Sequence, residues 1–263
     1  MKPLQKRTFQ IVISGLMLLL AGSCAMDEEQ DPRLSLFIGV DVSGSFVNSG
    51  YYEDSINFLS HYIYAHLNGL EELEEPNVLF VSSIGGAAPD EPKTFYPIQT
   101  FENLTIEQIN EKLHEIFPKE VQNPFTDFNA FFEQIALTIR NRNLVLRPVS
   151  VVMVTDGKPD APNVQEGADS ERARYRNIDL SPLERLSRNI TVRVLYTDPV
   201  TGKNWQTLIP RRRVKIWTQD AEVMTTWNDS TIYVPERPIA EQDRWLEWTA
   251  DNVDYGVRAR RVD

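Results

Sequence analysis

Continuous apolar runs alternate with segments of helical periodicity along most of this chain. Leu34–Val40 (LSLFIGV), Val78–Ile84, Val149–Val154 and Ile190–Tyr196 are short and rich in branched aliphatic residues. Runs of this kind, bounded by polar or glycine-containing turns, read as strands buried on both faces. Between the first two, Ile56, Leu59, Ile63 and Leu67 recur at 3/4 spacing and predict a helix over Tyr51–Leu67. An acidic turn, Glu71–Pro76, separates that helix from the second strand, and Gly85–Pro89 reads as a loop after it. Thr105 with Gln108 forms a capping-box pattern at the start of a helix that runs to about Ile116. Further helices are expected over Thr126–Asn141, from Ser181-Pro182 to Arg188, over Asn204–Ile209 and over Ala240–Val253, and a last strand over Val214–Trp217. Alternating strands and helices predict an α/β fold, a doubly wound, mostly parallel sheet flanked by helices.

The N-terminus obeys a different rule. Lys2, Lys6 and Arg7 precede a short apolar segment, Ile11–Leu20, and Ala21-Gly22-Ser23-Cys24 follows as a small-residue cleavage site. This is the build of a secretory signal peptide. The apolar run is too short to span a bilayer comfortably. Cys24 is the sole cysteine, and its position resembles a bacterial lipobox, which implies cleavage before Cys24 and lipid on its sulfur. With that thiol used, no disulfide or redox role remains. The expected organisation is a lipoprotein signal peptide at 1–23, an acidic tether at 24–33 (about 30 Å at full stretch), a main domain at 34–217 and a C-terminal extension at 218–263. Ala25, where an Asp would favour the inner membrane of enteric bacteria, points to the outer membrane if the envelope is Gram-negative.

Charge narrows the range of partners. The formal net charge is −11, and removal of three positive side chains with residues 1–23 takes it to −14. Such a chain as a whole repels nucleic acid and anionic lipid. Arg211-Arg212-Arg213 is too small a cluster to reverse this and reads as the flank of an edge strand.

Candidate chemistry sits where the strands end. Leu34–Val40 runs into Asp41-Val42-Ser43-Gly44-Ser45, and Val149–Val154 into Thr155-Asp156-Gly157. A carboxylate and two hydroxyls at i, i+2 and i+4 of a turning segment offer hard oxygen ligands of the kind Mg²⁺ accepts, although such a segment alone is also an ordinary Ser/Gly turn. In open α/β sheets ligands lie outside the carboxyl ends of the strands, which puts Asp41 and Asp156 on one edge. Pro124-Phe125-Thr126-Asp127 adds a hydroxyl at a loop-to-helix junction; Asp127 is a competing ligand or a helix N-cap.

These three ordered motifs resemble the von Willebrand factor A (vWA) domain and its metal-ion-dependent adhesion site. The resemblance covers Leu34 to about Trp217. It implies a divalent cation, Mg²⁺ or else Mn²⁺ or Ca²⁺, held by Asp41, Ser43, Ser45, Thr126 and Asp156. It also implies a protein partner whose Asp or Glu completes the coordination, and an antiparallel edge strand at Thr94–Thr100. One departure is visible: Pro124-Phe125 stands where the family usually has glycine.

Hydrolase chemistry at the same ion would need a general base. His61 and His66 fall in the first long helix and His114 in another, and no HExxH, G-x-S-x-G or P-loop pattern occurs. The expectation is therefore a lipid-anchored binding module of the bacterial envelope, not an enzyme. A metal-assisted hydrolase and an envelope component with a fold-stabilising metal are the alternatives. Two segments exceed a minimal domain: a long polar loop, Lys158–Asp179, that would rim the site, and the tail carrying Trp227, Trp245 and Trp248, expected to pack back on the domain.

Overall fold

The structure is a computed structural model that describes residues 33–71, 73–84, 94–119, 126–160, 168–186 and 189–254. The expected signal peptide, Cys24, nearly all of the tether, the Gly85–Pro89 loop and Pro124-Phe125 lie outside the described residues.

Six strands form one sheet. In chain order they are β1 (Leu34–Val40), β2 (Pro76–Ser83), β3 (Tyr96–Pro97), β4 (Val149–Val154), β5 (Ile190–Thr197) and β6 (Lys215–Asp220). Their order across the sheet is β3-β2-β1-β4-β5-β6. All pairings are parallel except β2 with β3. Every residue of β1, β4 and β5 is buried, as their largely apolar sequences favour.

Helices cover both faces. On one side lie α2 (Tyr52–Leu67), α3 (Ile106–Ile116) and the C-terminal α9 (Asp243–Asn252), which follow the four-residue α1 (Gly44–Val47). Their buried residues pack with Leu36, Ile38, Val152 and Val154 of the sheet. On the other side α4 (Phe128–Asn141), α5 (Ala168–Arg176), α6 (Ser181–Glu184) and α7 (Pro199–Leu208) pack on Phe37, Val151, Met153 and Val194. Each fully buried side chain of Leu or Phe size contributes about 1.5–3 kcal/mol. Gly39 marks the closest approach of α4: a Cβ there would stand 2.8 Å from Phe131 Cζ and 2.7 Å from Ile84 Cγ1. The Thr105–Gln108 capping box forms as expected.

Several elements differ from expectation. The edge strand at Thr94–Thr100 shrinks to Tyr96–Pro97, because Pro97 has no N–H to donate and the chain turns at once into the 3₁₀ segment Ile98–Thr100. The helix expected at Asn204–Ile209 begins at Pro199, where Asp198 accepts the Val200 and Thr201 N–H groups as N-cap. Within the polar segment Lys158–Asp179, residues 168–176 are helical (α5), so the segment is not a plain loop. The last strand extends to Asp220, three residues past the expected boundary at Trp217, and Ala221–Met224 (α8) follows directly. Beyond it Trp227 and Trp245 are buried against α2: the Phe58 ring lies 6.0 Å from Trp227 and 6.5 Å from Trp245, centroid to centroid.

Candidate metal centre

The order in which strands are laid down across the sheet reverses between β1 and β4. From β1 the fold proceeds to β2 on one side, and later returns to β4 on the other. That is the topological switch point of a doubly wound sheet, where the loops leaving adjacent strands diverge and open a crevice. Asp41 follows β1 and Thr155-Asp156 follow β4. The Asp41 N–H still donates to Val154 O (3.0 Å), so both carboxylates start from a fixed ladder.

Within this crevice Asp41 is fully buried. One carboxylate oxygen accepts the Ser43 N–H (2.8 Å) and lies 3.5 Å from the Thr126 hydroxyl; the other accepts the Thr155 hydroxyl at 2.5 Å. Ser43 is buried and Ser45 exposed, with their hydroxyl oxygens 3.2 Å apart. The four-residue α1 begins right after Ser43, and this tight turn brings i and i+2 side chains to the same side. Asp156 is half-buried and accepts the Lys158 N–H (3.1 Å). Gly157 then reverses the chain at φ +74°, with no space for a Cβ beside Thr201 and Trp205, and Trp205 Nε1 donates to its carbonyl (2.7 Å).

Burial pushes the Asp41 carboxyl up to about 6; the Asp156 charge adds to this, while hydrogen bonds from Thr155 and Ser43 oppose it. A buried carboxylate facing a second carboxylate is a place where a cation is favoured. The donor set also fits one. Octahedral Mg²⁺ at about 2.0–2.1 Å places neighbouring ligand oxygens about 3 Å apart. The Ser43–Ser45 and Asp41–Thr126 oxygen separations are close to that spacing. Among the described residues no group of three or more His, Cys, Asp and Glu is placed to hold a metal. Two carboxylates with three hydroxyls suit a hard divalent ion.

The geometry adds two residues that carried no role in the sequence. Thr155 fixes the buried side of Asp41 and also accepts the Gly157 N–H (2.9 Å), tying the β1 and β4 loops together. Asp160 accepts the Thr126 N–H (3.0 Å), tying the β4 loop to the threonine loop. A threonine directly before Asp156 was a visible signal; the Asp160 contact joins positions 34 residues apart and left none. Asp127 caps α4 by accepting the Ala130 N–H (2.9 Å). The histidines lie elsewhere: His61 pairs with Tyr233, His66 with Asp254 and His114 with Glu53.

No family model matches the chain, and no curated protein matches it. Solved structures similar to it include the manganese-loaded Plasmodium vivax TRAP protein, at 15% identity over 74% of this chain and 71% of that one, TM-score 0.45. Proximal thread matrix protein 1 from the mussel byssus, with a zinc occupied MIDAS motif, gives 13% identity over 74% and 46%, TM-score 0.40. The SpRpn10 VWA domain gives 11% identity over 70% and 86%, TM-score 0.40. The match therefore spans under half of the mussel protein. At such identities these likenesses concern the fold, and the site stands on the geometry above.

Proposed function

We propose that this chain is a vWA-type module, lipid-anchored through Cys24 in a bacterial envelope, that binds a protein partner through a divalent cation. The observation that carries the reading is the gathering of Asp41, Ser43, Thr126 and the Thr155-Asp156 turn at the β1/β4 switch point. Asp41, Ser43, Ser45, Thr126 and Asp156 would hold Mg²⁺, or Mn²⁺ or Ca²⁺ in its place. Three of the five donors are neutral hydroxyls, so the ion keeps the electrophilic character that attracts an Asp or Glu side chain from a partner. Within the chain, Thr155 and Asp160 hold the ligands in place, and no residue is assigned a catalytic role. The lipid anchor rests on the sequence pattern around Cys24.

The test is partner capture from envelope extract with Mg²⁺ and with chelator, using wild type and Asp41→Ala, with folding followed by circular dichroism. Capture should require the cation and be lost in Asp41→Ala while the fold persists. Undiminished capture by folded, metal-free protein would refute the reading.

A further inference from the structure

A parallel sheet gathers the segments that precede its strands at one edge and those that follow them at the other. The edge opposite the metal centre is rich in arginine. Arg147 precedes β4, with Arg140 and Arg142 just upstream at the end of α4; Arg185 precedes β5; Arg212 and Arg213 precede β6. Among the described residues none of these six guanidinium groups stands within 4 Å of a carboxylate, although the Arg212 charge acts on Glu184. Arg142 lies over the Phe80 ring at 5.5 Å, and the nearby Glu184 carboxylate is engaged by the Arg212 and Arg213 backbone N–H groups. Acidic Glu71, Glu74 and Glu75 also lie at this edge, but they precede β2, on the far side of β1 from the arginines.

In the midst of these arginines the chain exposes two aliphatic side chains. Val145 is 43% and Leu146 80% exposed, the latter the most exposed large hydrophobic residue described. Looseness does not account for this. Leu144 beside them is buried, and the turn is pinned by Leu144 N–H to Ile139 O (2.9 Å), Arg147 N–H to Leu144 O (3.2 Å) and Leu146 N–H to Leu186 O (3.1 Å). Leu146 is held at φ +76°, a left-handed conformation that a leucine rarely adopts. A firmly held, strained, outward Val-Leu tip between arginines is the composition of a bilayer-contacting surface: aliphatic side chains enter the interface, and guanidinium groups meet lipid phosphates.

We infer that the edge formed by Val145, Leu146 and the surrounding arginines docks on an anionic lipid surface. Two observations favour lipid over an acidic protein. The occupant must accept aliphatic tips that have no pocket around them. The chain preceding β1 also reaches the sheet at this edge, where Ser35 N–H donates to Pro148 O (2.9 Å), one residue from Arg147. The acids at the far edge do not oppose the contact, whereas Glu74 and Glu75 before β2 and the acidic stretch Asp27–Asp31 before β1 do, so the arginines have to outweigh them. Asp41 and Asp156 lie across β4, about 20 Å away at 3.3 Å per residue, and the Debye length is about 8 Å at physiological salt. Docked in this way, the domain would turn its metal centre away from the membrane.

The test is made independent of lipidation and of the apolar leader by using the mature chain, residues 24–263, carrying Cys24→Ser, which leaves no native thiol. An environment-sensitive fluorophore is attached at Leu146→Cys or, as the opposite pole, at Asn48→Cys. Each protein is mixed with vesicles of phosphatidylcholine alone or with phosphatidylglycerol, both containing brominated acyl chains. The label at 146 should be quenched several-fold more than that at 48, and more with phosphatidylglycerol. Reversal of Arg140, Arg147 and Arg185 to Glu should abolish the difference; at about fivefold per arginine neutralised, even the loss of three weakens the contact about 100-fold. Equal quenching at both positions, or no quenching at 146 on anionic vesicles, would overturn the inference and leave the patch to an acidic protein surface. Partner capture does not enter this measurement, so its outcome is separate from that of the metal-dependent reading.

Discussion

Replacing the central carboxylate of the metal centre should stabilise the metal-free protein. Asp41 is fully buried, and burial foremost, with help from Asp156, lifts its pKa from an ordinary 3.8 to about 6. A raised carboxyl pKa means that the folded state holds the proton more tightly than the unfolded chain. For this group, stability is fully present below 3.8 and is lost as pH rises to about 6. That gap corresponds to about 3 kcal/mol, at about 1.36 kcal/mol per pH unit. Asp41→Asn removes the charge at nearly constant shape. The amide oxygen can accept the Ser43 N–H, and the amide nitrogen can donate to Thr155 Oγ1. The Thr155 hydroxyl then loses its acceptor, which costs about 1–2 kcal/mol. A net gain of about 1–2 kcal/mol remains at neutral pH in chelator. Saturating Mg²⁺ should invert the order, because only the wild type gains from ligand linkage, by about 2.7 kcal/mol at a hundredfold excess over Kd. Urea unfolding of both proteins from pH 4 to 7, with chelator and with Mg²⁺, measures all of this. An Asp41→Asn protein less stable than wild type in chelator at neutral pH would refute the reasoning.

Two other substitutions probe the scaffold. Arg193 is fully buried on β5, donates to Val253 O and to Ser150 Oγ (2.7 Å), and stands 3.5 Å from Asp254, which also accepts from Tyr62 and His66. Arg193→Ala leaves that carboxylate buried without its cation and should cost about 3–5 kcal/mol in urea unfolding; a cost under 1 kcal/mol would mean that this cluster does not hold the C-terminal segment. Despite the burial that opposes it, His66 and Arg193 hold the Asp254 carboxyl below its usual range, so its contribution should be present above the ordinary carboxylate pKa and fade as pH falls through the lower folded value. Gly157→Ala places a Cβ 2.9 Å from Thr201 Cγ2 and Trp205 Nε1 at φ +74°. It should cost about 1–3 kcal/mol and weaken Mg²⁺ binding measured by calorimetry, because Asp156 is the preceding residue; unchanged affinity would show that the turn does not position Asp156.

The sheet was legible because its strands are buried on both faces. Leu34–Val40 and Val149–Val154 could be bounded to the residue, since an unbroken apolar run has no competing helical period at that length. The candidate site was legible for a related reason: Asp41 and the Thr155-Asp156 pair are the polar breaks after those runs, and parallel strands bring such breaks to one edge. What escaped depends on tertiary geometry. Pro199 begins α7 only because Asp198 caps it, and the Pro97 truncation of β3 needs its pairing with Phe80 to be known. Arg193 reads as the polar member of a strand, yet Asp254, 61 positions later, makes it a core residue. No local pattern announces such a pair.

The same topology that gathers the candidate metal ligands also divides the charge. Of the five parallel strands, β1 leaves the sheet toward Asp41, β4 toward Asp156 and Asp160, and β5 toward Asp198, while β1, β4, β5 and β6 are preceded at the other edge by Arg33, Arg147, Arg185 and Arg213. A mixed or meandering sheet would have interleaved these residues and cancelled their fields. In the proposed reading the acidic edge would concentrate divalent cations, which would neutralise it and be held there by neutral hydroxyls. At the basic edge no carboxylate stands within 4 Å of the Arg147, Arg185 or Arg213 guanidinium among the described residues, and Glu184 offsets part of the Arg212 charge. Cation binding at one pole and anionic contact at the other would then both follow from acidic residues placed after β1, β4 and β5 and arginines placed before β1, β4, β5 and β6. At physiological salt the poles lie more than two Debye lengths apart, so each can be occupied without weakening the other.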